Sequence, residues 1–387
     1  MNYEKRFLEI KSFLKEFYYL VDQEMLDRFE SDIPAPFKEW INELAQLKTK
    51  ELIELENNYQ SSVVKNKGLI SFIKRAKELI EVEEFKASKL ELDQELTRKM
   101  SLKKRHEIET IKDLLKDENI LSFVDIGSGA GHLSSALVNE KRSSICIDAS
   151  SDFQSIGKEK LKRWAPHLES KIKFIHKEIK SYKDIIIPEK NGILLGLHCC
   201  GALSTNIIKS LPPRVLSLGC CYHKLVDEYN ISALASETPL ILSNHALTIA
   251  AKGHSWQTAE SFQNKIRVKN YRYTLHFLLL EKFGQSFTTL GNAKSSDYSG
   301  EFSDYCFKFA PQTKELKKEI IDTFYENNIN KINLIVTAGT LRALIARVIE
   351  MYINLDRLIY MKEHGKQPRL IQIFDKKISP RNLAIYI

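Results

Sequence analysis

The chain has 387 residues, 43% hydrophobic and 28% charged, with a net charge of +8 and a pI near 8.9. That length allows a large core in two or three domains, and the charge is compatible with an acidic partner such as RNA without requiring one. The charged start MNYEKRFLEIKSFLKEF, the lack of an uninterrupted apolar run near the ~20 residues that span a bilayer, and six cysteines expected as reduced thiols argue against a secreted scaffold or a membrane protein, and make the cytoplasm the expected location.

Residues 1–97 read as an N-terminal helical domain. Phe7, Ile10, Phe13, Leu14 and Phe17 repeat at helical spacing, Leu44, Leu47, Leu52 and Leu55 do so more loosely, and Ile33-Pro34-Ala35-Pro36 breaks the run. Lys65 to Leu92 is again helical in pattern and heavily charged. Its acids and bases are interspersed, which favours a cap packed on a core over a basic recognition face. Ser101 is placed to cap a further helix carrying Ile108, Ile111, Leu114 and Leu115. Lys103, Lys104, Arg105 and His106 crowd its first turns, the unfavourable end of the helix dipole for cations. Either a ligand or anionic partner lies nearby, or the turn is simply solvated.

From Leu121 the pattern changes to LSFVDIGSGAGHLSSAL. An apolar run ends in Asp125, glycines follow at 127, 129 and 131, and a helical spacing begins at Leu133. Strand, glycine loop and helix form a site against which a nucleotide-type ligand can lie, because glycine tolerates positive φ and has no Cβ. The spacing is G-x-G-x-G, and His132 stands where a dinucleotide site has its third glycine. Asp125 would repel a phosphate but could order the loop amides or hold a cation. Asp148 ends the second strand, about 20 residues past the first glycine, suited to accept from two ribose hydroxyls. Together these features resemble motif I of the class I S-adenosylmethionine methyltransferases.

Strands are expected at Leu121–Asp125, Ile145–Asp148, Ile172–His176, Ile193–His198 and Val215–Cys220, with helical segments at Ser155–Trp164 and Leu203–Ser210 between them. Near-continuous apolar strands alternating with helices imply a parallel sheet covered on both faces. Residues 98–224 therefore read as the α/β core, and 225–337 as an insertion on the substrate side. In the insertion, Ile241–Ala251 and Tyr271–Leu280 fit helix or strand, Phe287–Phe302 reads as a loop, and Lys314–Tyr325 as a helical stretch. Residues 338–387 supply a long helix, Leu341–Lys362, stopped by Gly365, and two strands, Leu370–Phe374 and Leu383–Tyr386.

Leu197-His198-Cys199-Cys200-Gly201 and Gly219-Cys220-Cys221-Tyr222-His223 each lie just past a strand, where a doubly wound sheet opens toward its ligand crevice. Three roles compete for these residues. His198 or His223 could accept a proton and Tyr222 could wall off a target base. The cysteines could be small buried thiols. A zinc site is disfavoured by the absence of C-x-x-C and because adjacent cysteines point to opposite sides of an extended chain. His198, Tyr222 and His223 are the catalytic candidates, and no metal ligand is assigned.

MSLKKRHEI, FVDIGSGAGHLS, GLHCCGALS, LGCCYHKL, the helix LRALIARVIEMYINLDRLIY and the closing FDKKISPRNLAI together resemble the methyltransferase-like 25 family over roughly residues 100–387. More distantly, the paired H-x-C-G and cysteine motifs resemble tRNA ribose 2′-O-methyltransferases acting on the acceptor stem. The resemblance implies a class I, Rossmann-like methyltransferase fold with a seven-stranded sheet and S-adenosylmethionine as cofactor. The expected donor site comprises Asp125, Gly127, Ser128, Gly129, Gly131, Asp148, Ala149 and, beside the adenine, Glu178; the resemblance adds Lys104 and His106. Leu102, Ala130 and Ala202 depart from the family pattern, the last where an acid is usual. RNA ranks first as substrate and protein second; the alternative is a methyltransferase fold serving as a non-catalytic binding module.

Overall fold

The computed structural model describes residues 2–29, 33–88, 92, 100–225, 228–252, 254–285 and 293–387. Its apolar strands pair into one sheet of eight: β1 (Glu83–Glu84), β2 (Ser122–Ile126), β3 (Ser143–Asp148), β4 (Ile172–His176), β5 (Gly192–Cys200), β6 (Val215–Cys220), β7 (Arg369–Gln372) and β8 (Leu383–Tyr386). The order is β1-β7-β8-β6-β5-β2-β3-β4. Strands β2 to β6 pair in parallel, whereas β8 runs antiparallel to both β6 and β7. Without β1 this is the class I methyltransferase sheet. The additional β1 is two exposed glutamates parallel to the β7 edge, held by Arg369 on Glu83 and by Phe85 N–H on the Gln372 carbonyl at 2.8 Å.

All six residues of β6 and four of the five in β2 are buried, which explains why these strands read as unbroken apolar runs. The helix Leu102–Leu114 turns Ile108 and Ile111 into the same cluster as Phe123, Leu137, Ile193 and Leu216. Chain order reverses between β2 and β5, so the ligand crevice of such a sheet lies at the carboxyl ends of these two neighbours.

Two compact units divide the chain. The larger, Met1–Tyr18, Glu78–Ser255 and Ala346–Ile387, holds the sheet; the smaller is Tyr19–Lys77 and Trp256–Ile345. This differs from a separate domain over residues 1–97 and an insertion over 225–337. The first helix, Tyr3–Glu16, packs in the sheet-bearing unit, where Phe7 stacks on Tyr352 with ring centroids 4.8 Å apart. The boundary read at 97–98 falls outside the described residues. So do residues 89–91 of the stretch expected to be helical through Leu92, which ends as a helix at Leu79.

The described part of the smaller unit is helical. Thr49–Asn58 and Ala259–Phe283 are joined by Lys265 and Glu56 at 2.7 Å, and Tyr271 meets Tyr298, Phe302, Tyr305 and Tyr325 edge-on. Ile241–Ala251 and Tyr271–Leu280, ambiguous from pattern, both lie largely in helices, Asn244–Lys252 and Ala259–Phe283. Of the expected loop Phe287–Phe302, residues 287–292 lie outside the described set.

The two helices expected near 314–325 and 341–362 are one, Lys318–Glu363. By length and composition alone this helix could cross a membrane, but 72% of its most apolar window is buried within the protein. Its last third also carries buried charges that bond to sheet-side groups. Arg357 donates to Ser204 Oγ at 2.9 Å, and the Asp356 carboxylate accepts from the Ile231 and Ser232 amides at 2.9 Å.

Candidate active site

The loop after β2 is built as its glycines require. Gly127, Gly129 and Gly131 have φ of +69°, +55° and +67°, and Gly131 caps the helix His132–Leu137. A Cβ on Gly131 would meet the Phe174 ring at 2.9 Å, while one on Gly129 would meet nothing within 4 Å. The first glycine is exposed and the loop is open there, as a cradle for a ligand must be. The Gly127 and Ser128 amides donate to the Ile147 carbonyl at 2.8 and 3.2 Å, tying the loop to β3.

Asp148 stands at the mouth of this loop. Its Oδ2 accepts from Gly129 N–H and its Oδ1 from Ser150 N–H, both at 2.8 Å. It therefore orders the glycine loop directly, while each carboxylate oxygen keeps capacity for a further donor. Ala149 is exposed and its carbonyl accepts from His176; Glu178 is exposed beside Lys180 at 3.6 Å.

Asp125 is only 2% exposed and accepts from Ser134 Oγ at 2.9 Å, which in turn accepts from Ser144. Burial pushes its carboxyl up to about 6, against the pull of Ser134 and the Lys104 charge and helped by Asp148. The folded value lies above the ordinary 3.8, so the native state loses stability as pH rises from about 4 to about 6. Asp125→Asn is therefore expected to melt higher than the parent at pH 8 and about the same at pH 4, with a full difference of roughly 3 kcal/mol. Thermal melts across that range check the sign.

A second group assembles from three separate motifs. His198 lies near the end of β5 in a left-handed conformation, φ +59°, at a bulge between Leu197 and Cys199. Its Nε2 lies 2.7 Å from Glu107 Oε1, and Ser379 Oγ donates to the same oxygen at 2.7 Å. Glu107 is 1% exposed. Burial raises its carboxyl, but His198, Ser379 and Lys103 together hold it below its ordinary value. An ionised carboxylate only accepts, so Nε2 carries a proton, and in a neutral ring Nδ1 is the acceptor. Nδ1 is buried and has no partner among the described residues.

The chain that follows His198 borders the glycine loop. Cys199 Sγ donates to the Ile126 carbonyl at 3.4 Å, and a Cβ on Gly127 would lie 3.6 Å from Leu203. Glu107 went unrecognised in the sequence, although it sits next to His106 in the KKRHE motif; only the fold brings it to His198.

Other expected residues lie elsewhere. Tyr222 is 1% exposed, and its hydroxyl donates to Glu350 at 2.9 Å and accepts from Asn354 at 3.1 Å. It braces the long helix. His106 accepts from Asp375 N–H at 3.2 Å, with its ring beside Phe374. His223 is half-buried, and burial together with Lys252, Lys224 and Arg381 lowers its pKa. The cations at the start of the Leu102–Leu114 helix are partly answered within it, Arg105 by Glu109 at 2.7 Å and Lys103 by Glu107 at 3.6 Å. A cavity of about 500 Å³ around Lys112, Lys116, Lys141 and Arg142 opens at the opposite end of β2 and is not the donor site.

The cysteines also depart from expectation. Adjacent thiols diverge on an extended chain, but Cys221 has φ +52° and turns back. Its sulfur lies 3.7 Å from that of Cys220 and 3.3 Å from that of Cys200.

Residues 103–228 match a family model described as a methyltransferase domain. Over that stretch the chain is similar to methyltransferase domains. From outside the matched stretch, Ser379 bonds to Glu107 and Arg357 to Ser204 within it. Relatives named "Probable methyltransferase-like protein 25" in Mus musculus and Homo sapiens are each 26% identical, over 235 and 234 residues, or 52% of this chain. The matched stretch spans 38% of either relative's length. Coclaurine N-methyltransferase, solved with N-methylheliamine and S-adenosylhomocysteine, aligns over 91% of this chain and 90% of its own at 10% identity and a TM-score of 0.25, too low to decide anything about this chain.

Proposed function

We propose that the protein transfers a methyl group from S-adenosylmethionine to a nucleophile that must lose a proton, with RNA as the substrate class. The observation that carries this reading is the Glu107–His198 pair at 2.7 Å, one strand from the open glycine loop. S-adenosylmethionine, when bound, supplies an electrophilic methyl group. Gly127–Gly131 would lie along it, Asp148 would accept from its ribose hydroxyls, and Asp125, with Lys104 nearby, would face its amino-acid end. His198 Nδ1 takes the proton of a hydroxyl or amine, and Glu107 holds the ring and offsets the charge it gains. Holding nucleophile and methyl in line supplies most of the remaining acceleration.

RNA is favoured over protein by the net charge of +8 and by the likeness to tRNA enzymes. Incubation of the pure protein with labelled donor and total RNA is expected to label a discrete RNA species. Label entering only a protein fraction would reject RNA and keep the transfer.

A further inference from the structure

The mechanism leaves one cluster unused, at the ends of β5 and β6. The sulfurs of Cys200, Cys220 and Cys221 lie 3.3, 3.3 and 3.7 Å apart. None forms a disulfide. Their convergence goes with backbone geometry that residues with a Cβ adopt at a cost: φ of +59° at His198, at the bulge two residues before Cys200, and +52° at Cys221. Gly201, at φ +53°, lets the chain pass Lys224 so closely that a Cβ would meet its carbonyl at 2.9 Å. Thiol–thiol contacts and the bond from Cys220 Sγ to the His198 carbonyl at 3.0 Å are weak recompense for this strain.

We infer that Cys200, Cys220 and Cys221 bind a zinc ion. Three sulfurs at the usual Zn–S distance of about 2.3 Å in tetrahedral array stand about 3.8 Å apart, so small outward movements convert this cluster into a ligand set. An all-thiol set selects a thiophilic ion and excludes magnesium and calcium. Ligation releases the thiol protons to solvent, and three thiolates on a divalent ion leave one negative charge. Lys224 and Arg381 place positive charge within electrostatic range to offset it. No fourth histidine, cysteine or carboxylate joins the group among the described residues, and Cys200 is exposed. The fourth position therefore takes water or a group from outside, as in zinc sites that keep an open coordination.

The full chain, purified under reducing conditions from zinc-supplemented medium, is expected to carry about one zinc per molecule by elemental analysis. Replacement by cobalt should produce sulfur-to-metal charge-transfer absorption and tetrahedral visible bands. Cys200→Ser and Cys221→Ser should lose the metal, and Cys306→Ser should keep it. If the serine variants misfold by circular dichroism, the cobalt spectrum of the parent decides the matter. Six freely titrating thiols with no metal, copper alone, or a Cys200–Cys220 disulfide in the non-reduced digest overturns the assignment. Donor binding, measured separately by calorimetry, tests the methyltransferase reading, and neither result stands in for the other.

Discussion

Glu107→Gln is expected to lower kcat for methyl transfer by roughly 10²–10⁴ while leaving donor affinity nearly unchanged. The carboxylate fixes the tautomer of His198, since it can only accept and Nε2 must donate to it at 2.7 Å. A glutamine can turn its amide toward Nε2, which moves the ring proton to Nδ1 and removes the free lone pair. His198→Ala should cost about as much, and the double variant little more, because the two residues act as one unit. Ser379→Ala, which removes the hydroxyl donor from Glu107 Oε1, should cost much less. A purely structural role predicts the opposite pattern: a lower melting temperature with kcat intact in the protein that remains folded. Single-turnover rates beside thermal melts separate the two.

Much of this architecture was legible before the coordinates. Val215–Cys220 and Leu383–Tyr386 appear with the bounds read from the sequence, because strands buried along their whole length are nearly unbroken apolar runs, and so does the edge strand Ile172–His176, of which only Ile172 is buried. The glycine loop and Asp148 were legible for a similar reason: a spacing of two residues between glycines and an acid at a strand end are local features. What the sequence hid was non-local or lacked an apolar signal. β1 is two glutamates whose pairing depends on the β7 edge. The unity of Lys318–Glu363 was masked by a polar middle around Asn327–Lys331. Tyr222 read as a crevice residue because its partners, Glu350 and Asn354, are 128 and 132 positions away. Glu107 and His198, 91 positions apart, carry no pairing signal in either motif alone. The convergence of Cys220 and Cys221 needed a positive φ that composition does not announce.

Asp148→Ala is expected to weaken binding of S-adenosylhomocysteine by about a hundredfold, the scale of one or two charge-assisted hydrogen bonds. Two losses combine in that figure. The carboxylate accepts from Gly129 and Ser150 amides at 2.8 Å, so its removal frees the loop as well as the ribose. Asp148→Asn should fare little better, because the amide has one acceptor oxygen for two backbone donors and must set its NH₂ against one of them. The informative contrast is with Asp125→Asn, tested against two ligands. Methylthioadenosine has the ribose but no amino acid. Asp148→Ala should weaken methylthioadenosine and S-adenosylhomocysteine by the same factor, since both present the sugar. Asp125→Asn should weaken S-adenosylhomocysteine alone, since the buried carboxylate would face an ammonium that methylthioadenosine lacks. Equal losses for both ligands in Asp125→Asn would place that residue behind the loop, acting through Ser134 and the helix start. Unchanged affinities in Asp148→Ala would remove the sugar contact from which the whole orientation of the donor is argued. Calorimetry with the four pairs of variant and ligand is sufficient to tell these cases apart.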